Sequence, residues 1–173
     1  MRYFFFGTLR DPEMRACVLG RVAAAVPARL SGYRLVRAHL ERFPLLVAAP
    51  GGRVRGDVVA GVGAEEDARI RFYESVEYAP RPVRVTTPAG PVTARAFFAE
   101  SVLPATEAAW DFTAWQARDK KDELAATELW MALYGVIGVA EAERLWDACV
   151  AEGGSLADLV ARIRALPRRA AGG

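Results

Sequence analysis

The most constraining feature of this sequence is the stretch Tyr3–Pro12, YFFFGTLRDP, near its N-terminus. Its aromatic run predicts a short buried strand that ends at Gly7. Asp11 is a favourable N-cap and Pro12 suits the first helical position, so a helix is predicted over residues 12–19. The chain must therefore pass from a strand to a helix within a few residues. Backbone N–H groups in such a turn lack partners, which suits a carboxylate or another anion.

Composition and charge indicate an ordinary soluble globular protein. The chain has 173 residues, of which 53% are hydrophobic and 25% are charged, and this is enough to bury a sizeable core. Its formal net charge is +2 and its basic residues are scattered, so neither nucleic acid nor a membrane is expected as a partner. Cys17 and Cys149 lack the spacing of a disulfide framework, and the N-terminus lacks a signal-peptide pattern. These features predict a cytoplasmic location.

Three further apolar runs in the first 60 residues predict strands. The runs are residues 28–37, 43–48 and 54–59. Ser31-Gly32 would form a bulge in the first run. Pro50-Gly51-Gly52 has the composition of a turn, so the second and third runs are predicted to pair as a hairpin.

The clearest predicted hairpin spans residues 82–99, where apolar residues alternate on both sides of a Pro-Ala-Gly-Pro turn. Strand patterns stop at Leu103-Pro104, and four short helices are predicted to follow. The last helix is predicted to end at Pro167, before a frayed tail. We therefore predict an α+β fold with one domain over residues 1–103 and a helical extension over residues 104–173 packed on it.

Glu74 is the residue most suited to carry chemistry. It lies near the end of a helix predicted over residues 64–76, on the same face as Ile70. Apolar surroundings disfavour the charged carboxylate and raise its pKa towards the range useful for proton transfer near neutral pH. The structural alternative is a glutamate at the rim of the core that pairs with Arg71 or Arg81.

Other candidate residues are better explained by structural roles. His39 is the only histidine, which argues against a zinc site, and it is predicted to be structural or exposed. Cys17 lies about two turns into its helix, too deep for the helix end to activate it, so it is predicted to be a small buried apolar residue. The tryptophans at helical spacing are assigned to the core: Trp110, Trp115, Trp130 and Trp146. A set of arginines is more simply a solvated face than a binding surface: positions 34, 37, 42, 53 and 55.

Three short motifs occur in order within the first hundred residues. They are Phe6-Gly7-Thr8-Leu9, then Val54-Arg55-Gly56-Asp57-Val58, then the block Ile70–Tyr78 that contains Glu74. Together, over residues 3–99, they resemble the motifs of the gamma-glutamylcyclotransferase-like family in order and spacing. The resemblance implies a small mixed β-barrel with the first motif at one mouth and the glutamate of the block projecting into it.

The resemblance also implies an activity and a set of site residues. Characterised members of the family cyclise a gamma-glutamyl compound to 5-oxoproline and release an amine, as acyltransferases or cyclising lyases. Glu74 would be the general acid/base. Backbone N–H groups of Gly7, Thr8 and Leu9 would hold the α-carboxylate of a small-molecule substrate and orient its amine. The implied substrate-binding residues are Phe6, Gly7, Thr8, Leu9 and Tyr78. The family implies no cofactor and no metal.

Several positions depart from the family pattern and leave other functions open. Phe6 stands where the family often has tyrosine, Arg71 replaces an aspartate, and Ser75 replaces a glycine. Phe97 and Phe98 lie on a strand that often offers a tyrosine. A less polar pocket favours the alternative of a non-catalytic protein that binds small anions on the same barrel. In a third interpretation the tryptophan-rich extension is an interaction scaffold. Otherwise it would cover a face of the barrel or make a homodimer contact.

Overall fold

The computed structural model describes residues 1–39, 42–100 and 105–165, which form six strands and six helices. The strands are β1 (Arg2–Phe5), β2 (Val26–Ala38), β3 (Pro44–Ala60), β4 (Tyr78–Thr87), β5 (Gly90–Ala99) and β6 (Ala105–Ala109). The helices are α1 (Pro12–Leu19), α2 (Ala64–Glu74), α3 (Phe112–Arg118), α4 (Lys120–Met131), α5 (Val139–Ala151) and α6 (Leu156–Ala165). A 3-10 turn, Thr8–Arg10, connects β1 to α1. Within the described ranges, no helix has the length and apolar character needed to cross a membrane.

Five of the strands close into a barrel. The order around it is β3-β1-β5-β4-β2, and β2 pairs with β3 to complete the ring. β1 runs parallel to β5, whereas the other pairs in the ring are antiparallel. β6 lies outside the ring and pairs with the C-terminal part of β2. The predicted α+β fold with a small mixed barrel is therefore confirmed.

β1 is buried on both faces, which explains its unbroken run of aromatic residues. Phe4 packs in the barrel interior with apolar residues such as Leu30 and Val85 from the surrounding strands. Tyr3 and Phe5 face the other way, stack with their ring centroids 6.0 Å apart, and belong to the core shared with the helices. A strand covered on both sides has no need of alternating polar residues.

The predicted hairpin turn at Pro50-Gly51-Gly52 is wrong, because β3 runs through it as one strand of 17 residues. β3 pairs with β2 along both halves, and the register shifts between Ser31 and Tyr33, where the bulge was predicted. Gly32 and Gly51 adopt φ values of 85° and 80°, which a glycine reaches without strain. The glycine-containing segment therefore bends a continuous strand instead of ending it.

The predictions for the first two helices hold closely. α1 spans the predicted residues, with the Asp11 side chain accepting hydrogen bonds from two N–H groups of the first turn. Gly20 ends α1 with a φ of 76°. α2 ends at Glu74 instead of residue 76, because Ser75 leaves the helical conformation. The hairpin predicted over residues 82–99 is formed by β4 and β5.

The C-terminal third contains the four predicted helices and one strand that the sequence did not predict. β6 has the sequence ATEAA, which lacks β-branched and aromatic strand formers apart from one threonine, so its pairing with β2 decides its conformation. Trp110 directly follows β6 instead of lying in α3. The helices share a core with the barrel, in which Trp115 and Leu133 cluster with Tyr3 and other β1 residues.

Some predicted boundaries lie outside the described residues. These are the boundary at Leu103-Pro104, the end of the last helix at Pro167 and the tail from residue 168 onward. The division into a domain of residues 1–103 and an extension of residues 104–173 stays a prediction. Residues 105–165 are called the extension below.

Candidate active site

A cavity of about 490 Å³ lies between the barrel and the helices. On the barrel side it is lined by residues 4–9, 42–44, 73–75, 77–78 and 97. The extension contributes Asp122, Glu123, Ala126, Thr127 and Trp130 from α4, and Glu143, Trp146 and Asp147 from α5. The two parts of the chain therefore build the cavity together.

All six residues predicted for the site line this one cavity. Glu74 lies at the end of α2, and Tyr78 begins β4 a few residues later. Phe6, Gly7, Thr8 and Leu9 come from the end of β1 and the turn after it. The structure thus brings together two stretches that are distant in the sequence. Thr8 and Tyr73 are separated by 65 residues, and their hydroxyl oxygens lie 3.0 Å from each other.

The turn after β1 lines the cavity with Gly7, Thr8 and Leu9. It is a 3-10 turn, closed by a bond from the Arg10 N–H to the Gly7 carbonyl at 3.1 Å. The first N–H groups of such a turn have no partner within it. Among the described residues, the N–H groups of Gly7, Thr8 and Leu9 have no backbone acceptor.

A buried ion pair connects this turn to the extension. Asp11, which caps α1, is fully buried and lies 2.9 Å from the Lys120 Nζ. The Gln116 side chain donates a second bond to it at 2.9 Å. Burial opposes ionisation, but the bonds from Lys120 and Gln116 outweigh it and lower the pKa of Asp11. The residue that follows the turn is therefore bound to the extension by residues that do not line the cavity.

Glu74 is the last residue of α2 and is half-buried in the cavity wall. Removal from water raises its pKa from 4.5 to about 8. The structural alternative of a rim ion pair finds no support. Arg71 binds Asp67 with a nitrogen to oxygen distance of 2.8 Å, and Arg81 binds another carboxylate, that of Glu100, at 2.7 Å.

Tyr73 and Thr127 were not predicted as site residues. The Tyr73 hydroxyl lies 3.0 Å from the Thr8 Oγ1. Thr127 of α4 lines the same cavity and lies close enough to Tyr73 to lower the pKa of its hydroxyl. Both threonines are buried, with 5% and 4% of their surface exposed. Burial is also the main cause that raises the pKa of Tyr73, followed by the negative charge of Glu123, so its hydroxyl stays neutral. The helical spacing predicts that Tyr73 faces the core, but nothing in the sequence indicates its partner on a helix more than 50 residues later.

Most of the charged residues that line the cavity are acidic. The cavity's carboxylates beyond Glu74 are Glu77, Asp122, Glu123, Glu143 and Asp147, and its guanidinium is Arg42. Arg42 pairs with Asp122 at 3.4 Å. Burial raises the pKa of Glu143, the Ser75 hydroxyl lowers it, and the charges of Glu77 and Asp147 raise it further.

The phenylalanines that depart from the family pattern differ in whether they line the cavity. Phe6 and Phe97 line the cavity, and Phe97 stacks on Tyr3 with centroids 5.7 Å apart. Phe98 packs edge-on against Tyr33 at 5.7 Å and is not among the described residues that line the cavity. The pocket therefore has apolar surface at two of the positions singled out from the sequence.

Ser75, directly after Glu74, has a backbone conformation that favours glycine. Its φ of 62° and ψ of −167° lie in a region that side chains with a Cβ rarely occupy. Ser75 is also the only non-glycine residue with positive φ in the described ranges. The departure from the family's glycine has thus left the backbone strained beside the candidate acid.

We expect Ser75→Gly to be more stable than Ser75→Ala by about 1–2 kcal/mol, because only alanine retains the strained Cβ. Both variants lack the hydroxyl, so the comparison isolates the backbone. At an unstrained position the order would be reversed. Urea denaturation of the two variants measures the difference, and equal stability would contradict the strain.

Of the other candidates from the sequence, His39, Cys17 and Trp115 have the structural roles predicted for them, whereas Trp130 and Trp146, assigned to the core, also line the cavity. His39 is exposed in a turn. Cys17 is half-buried, and burial raises the pKa of its thiol, as expected of an unreactive cysteine. Trp115 is fully buried in the core. Within the described ranges no group of three or more His, Cys, Asp or Glu residues is arranged to hold a metal ion.

Comparisons with known proteins agree with this geometry. The sequence model of a family described as gamma-glutamyl cyclotransferase, AIG2-like, matches residues 3–123, which extends past the motifs into α4. AIG2-like protein C of Arabidopsis thaliana is 30% identical over 131 residues, or 72% of this chain and 74% of that protein. Protein AIG2 C of the same plant is 32% identical over 74 residues, which is 43% of each chain. A solution structure of an A. thaliana protein has 24% identity and a TM-score of 0.56, and the match covers 78% of this chain and 82% of that one. This last likeness shows the fold.

Proposed function

Because this chain belongs to the gamma-glutamyl cyclotransferase, AIG2-like family, we propose that it cyclises a gamma-glutamyl amine to 5-oxoproline and releases the free amine. The reaction is an intramolecular acyl transfer. The observation that carries the proposal is the position of Glu74. Glu74 lines the same cavity as Gly7, Thr8 and Leu9 of the turn after β1.

The reaction needs one group that accepts a proton and later returns it. The neutral α-amine of the substrate attacks its own γ-carbonyl carbon, which forms the ring C–N bond. The proton that this nitrogen then carries in excess passes to the Glu74 carboxylate. Glu74 delivers it to the leaving nitrogen as the original amide C–N bond breaks. The carboxylate is regenerated, and neither water nor a redox partner is consumed.

The turn after β1 would orient the substrate. The N–H groups of Gly7, Thr8 and Leu9 form a compact set of donors suited to the α-carboxylate. The α-amine, attached to the same carbon, would then lie between the turn and Glu74. Fixing this geometry converts a flexible chain into one poised for ring closure. The apolar surface of Phe6 and Phe97 would contact the methylene groups of the glutamyl chain.

We expect kcat/KM to rise with pH through about pH 8 and to level off above about pH 9. Glu74 must start ionised to accept a proton, and its pKa of about 8 means that it is mostly protonated at pH 7. The substrate amine titrates in a similar range and makes the rise steeper. The measurement is 5-oxoproline formation between pH 5.5 and 9.5. An activity that is highest below pH 6 would contradict Glu74 as the base.

The direct test uses two amides that differ by one group. A gamma-glutamyl alkylamide is expected to yield 5-oxoproline and the alkylamine in equal amounts. The matching glutaryl alkylamide lacks the α-amine and is expected to give neither product, because it has no nucleophile. Equal release of amine from both compounds would indicate hydrolysis and overturn the proposal. If both raise the melting temperature and neither reacts, the barrel is the small-anion-binding protein of the alternative interpretation.

A further inference from the structure

Residues of the extension lie against the end of α2 on both sides of Glu74. The Trp130 Nε1 of α4 donates a hydrogen bond to the Phe72 carbonyl at 3.0 Å. The Trp130 and Phe72 rings also pack with centroids 5.2 Å apart. On the other side, Glu143 of α5 lines the same cavity as Ser75, and the Ser75 hydroxyl lies close enough to lower the pKa of that carboxyl group. Side chains from two different helices therefore lie beside the residues that flank Glu74.

A third contact reaches the residue directly before Glu74. Thr127, one helical turn before Trp130 on α4, is buried in the same cavity wall as Tyr73 and lies close enough to its hydroxyl to lower its pKa. The same hydroxyl lies 3.0 Å from the Thr8 Oγ1 in the turn after β1. Thr127 is thus connected, through one tyrosine ring, to both the candidate anion-binding turn and the helix end that carries the acid.

These contacts matter because Glu74 has an unusual place for a proton carrier. It is the final residue of its helix, and no further helical turn follows to hold its backbone. Helix ends fray, and the last residues of a helix are among its least stable. The helix dipole also opposes a negative charge at this end. Contacts from outside α2 must therefore determine where the carboxyl group lies.

We propose that Thr127 and Trp130 are positioning residues that hold Glu74 against the cavity wall, so that the extension completes the site. This inference rests on the proposed role of Glu74 as acid/base. The two side chains act through Tyr73 and Phe72 and need no contact with the reacting atoms. The helical extension then has a catalytic purpose that the motifs of the barrel do not reveal.

The first experiment separates the hydroxyl of Thr127 from its bulk. Thr127→Val keeps the volume and loses the hydroxyl, whereas Thr127→Ser keeps the hydroxyl and loses a methyl group. We expect Thr127→Val to lower kcat about tenfold, because a small displacement of an acid/base is costly. Thr127→Ser is expected to stay within about twofold of the wild type. If Thr127→Val is as active as the wild type and Thr127→Ser is impaired, packing alone matters and the proposal is overturned.

The second experiment uses two tryptophans of the extension. Trp130→Phe removes the N–H that binds the Phe72 carbonyl, whereas Trp115→Phe removes an N–H that has no partner among the described residues. The pKa of Glu74 is read from the NMR titration of its carboxyl carbon, assigned by its loss in Glu74→Gln. We expect Trp130→Phe to shift that pKa by about one unit towards 4.5, and Trp115→Phe to leave it in place. Equal shifts in both variants would show a general loss of packing and would refute the positioning role.

The NMR titration does not depend on turnover, so it distinguishes the two proposals. If the wild type forms no 5-oxoproline, the proposed function fails, and the titration still decides whether the extension positions Glu74. If turnover is found and Trp130→Phe changes neither kcat nor the titration, the positioning role fails alone. If one of the Thr127 variants does not fold, the comparison of Trp130→Phe with Trp115→Phe decides whether the extension positions Glu74.

Discussion

Glu74→Gln is expected to lower kcat by about 10²–10⁴-fold at pH 8, the usual contribution of a general acid/base. Glutamine has nearly the same shape as glutamate but accepts no proton from the attacking amine. It also has none to give to the leaving nitrogen. The variant should still bind the substrate, because the N–H groups of the turn at Gly7 are unchanged. Its melting temperature should therefore still rise with added gamma-glutamyl amide.

Glu65→Gln is the matched control for this prediction. Glu65 is an exposed glutamate in the first turn of the same helix and does not line the cavity. The same chemical change there removes one negative charge from α2 without touching the site, and kcat should stay near that of the wild type. Undiminished 5-oxoproline formation by Glu74→Gln would remove Glu74 from the mechanism.

The same substitution is expected to stabilise the protein in alkaline solution. The pKa of Glu74 is about 8 in the folded state and near 4.5 when unfolded. Below pH 4.5 the Glu74 carboxyl group is protonated in both the folded and the unfolded state, so its titration does not change the free energy of unfolding. Between pH 4.5 and 8 the unfolded chain releases the proton while the folded chain keeps it, so wild-type stability falls as pH rises. Above pH 8 the carboxyl group is ionised in both states, and the stability of the folded protein is lowered by the full amount.

Glutamine does not titrate, so the variant does not lose stability in this way as the pH rises. A pKa shift of this size corresponds to at most about 5 kcal/mol. Because the Glu74 side chain is only half-buried, we expect the free energy of unfolding of the variant to exceed that of the wild type by about 2 kcal/mol at pH 9. At pH 4 the two should be nearly equal. Urea denaturation at both pH values gives the difference, and a variant that is less stable at pH 9 would show that the folded state favours the ionised carboxylate.

Local patterns predicted the parts of the fold that local interactions determine. The passage from β1 to α1 followed from Gly7, Asp11 and Pro12, whose effects extend only a few residues. Glu74 was found because a carboxylate on an apolar helical face is conspicuous, and the resemblance gave it a partner in the turn.

Partners distant in the chain account for what the sequence did not predict. Pro50-Gly51-Gly52 has the composition of a turn, but pairing with β2 on both sides keeps β3 continuous. β6 is a strand because β2 offers it an unpaired edge, a fact absent from its own residues. Thr127 and Trp130 resemble ordinary residues of an amphipathic helix. Their contacts with Tyr73 and Phe72 exist only after α4 has docked.

The pairing of β6 with β2 has a consequence for solubility. β2 extends beyond the part that pairs with β4, and its last residues would otherwise present open hydrogen-bonding groups to a neighbouring molecule. A short strand from the same chain occupies that place. Chains lacking residues 105–109 would offer this edge to one another, so such truncations should favour self-association before they reveal anything about catalysis.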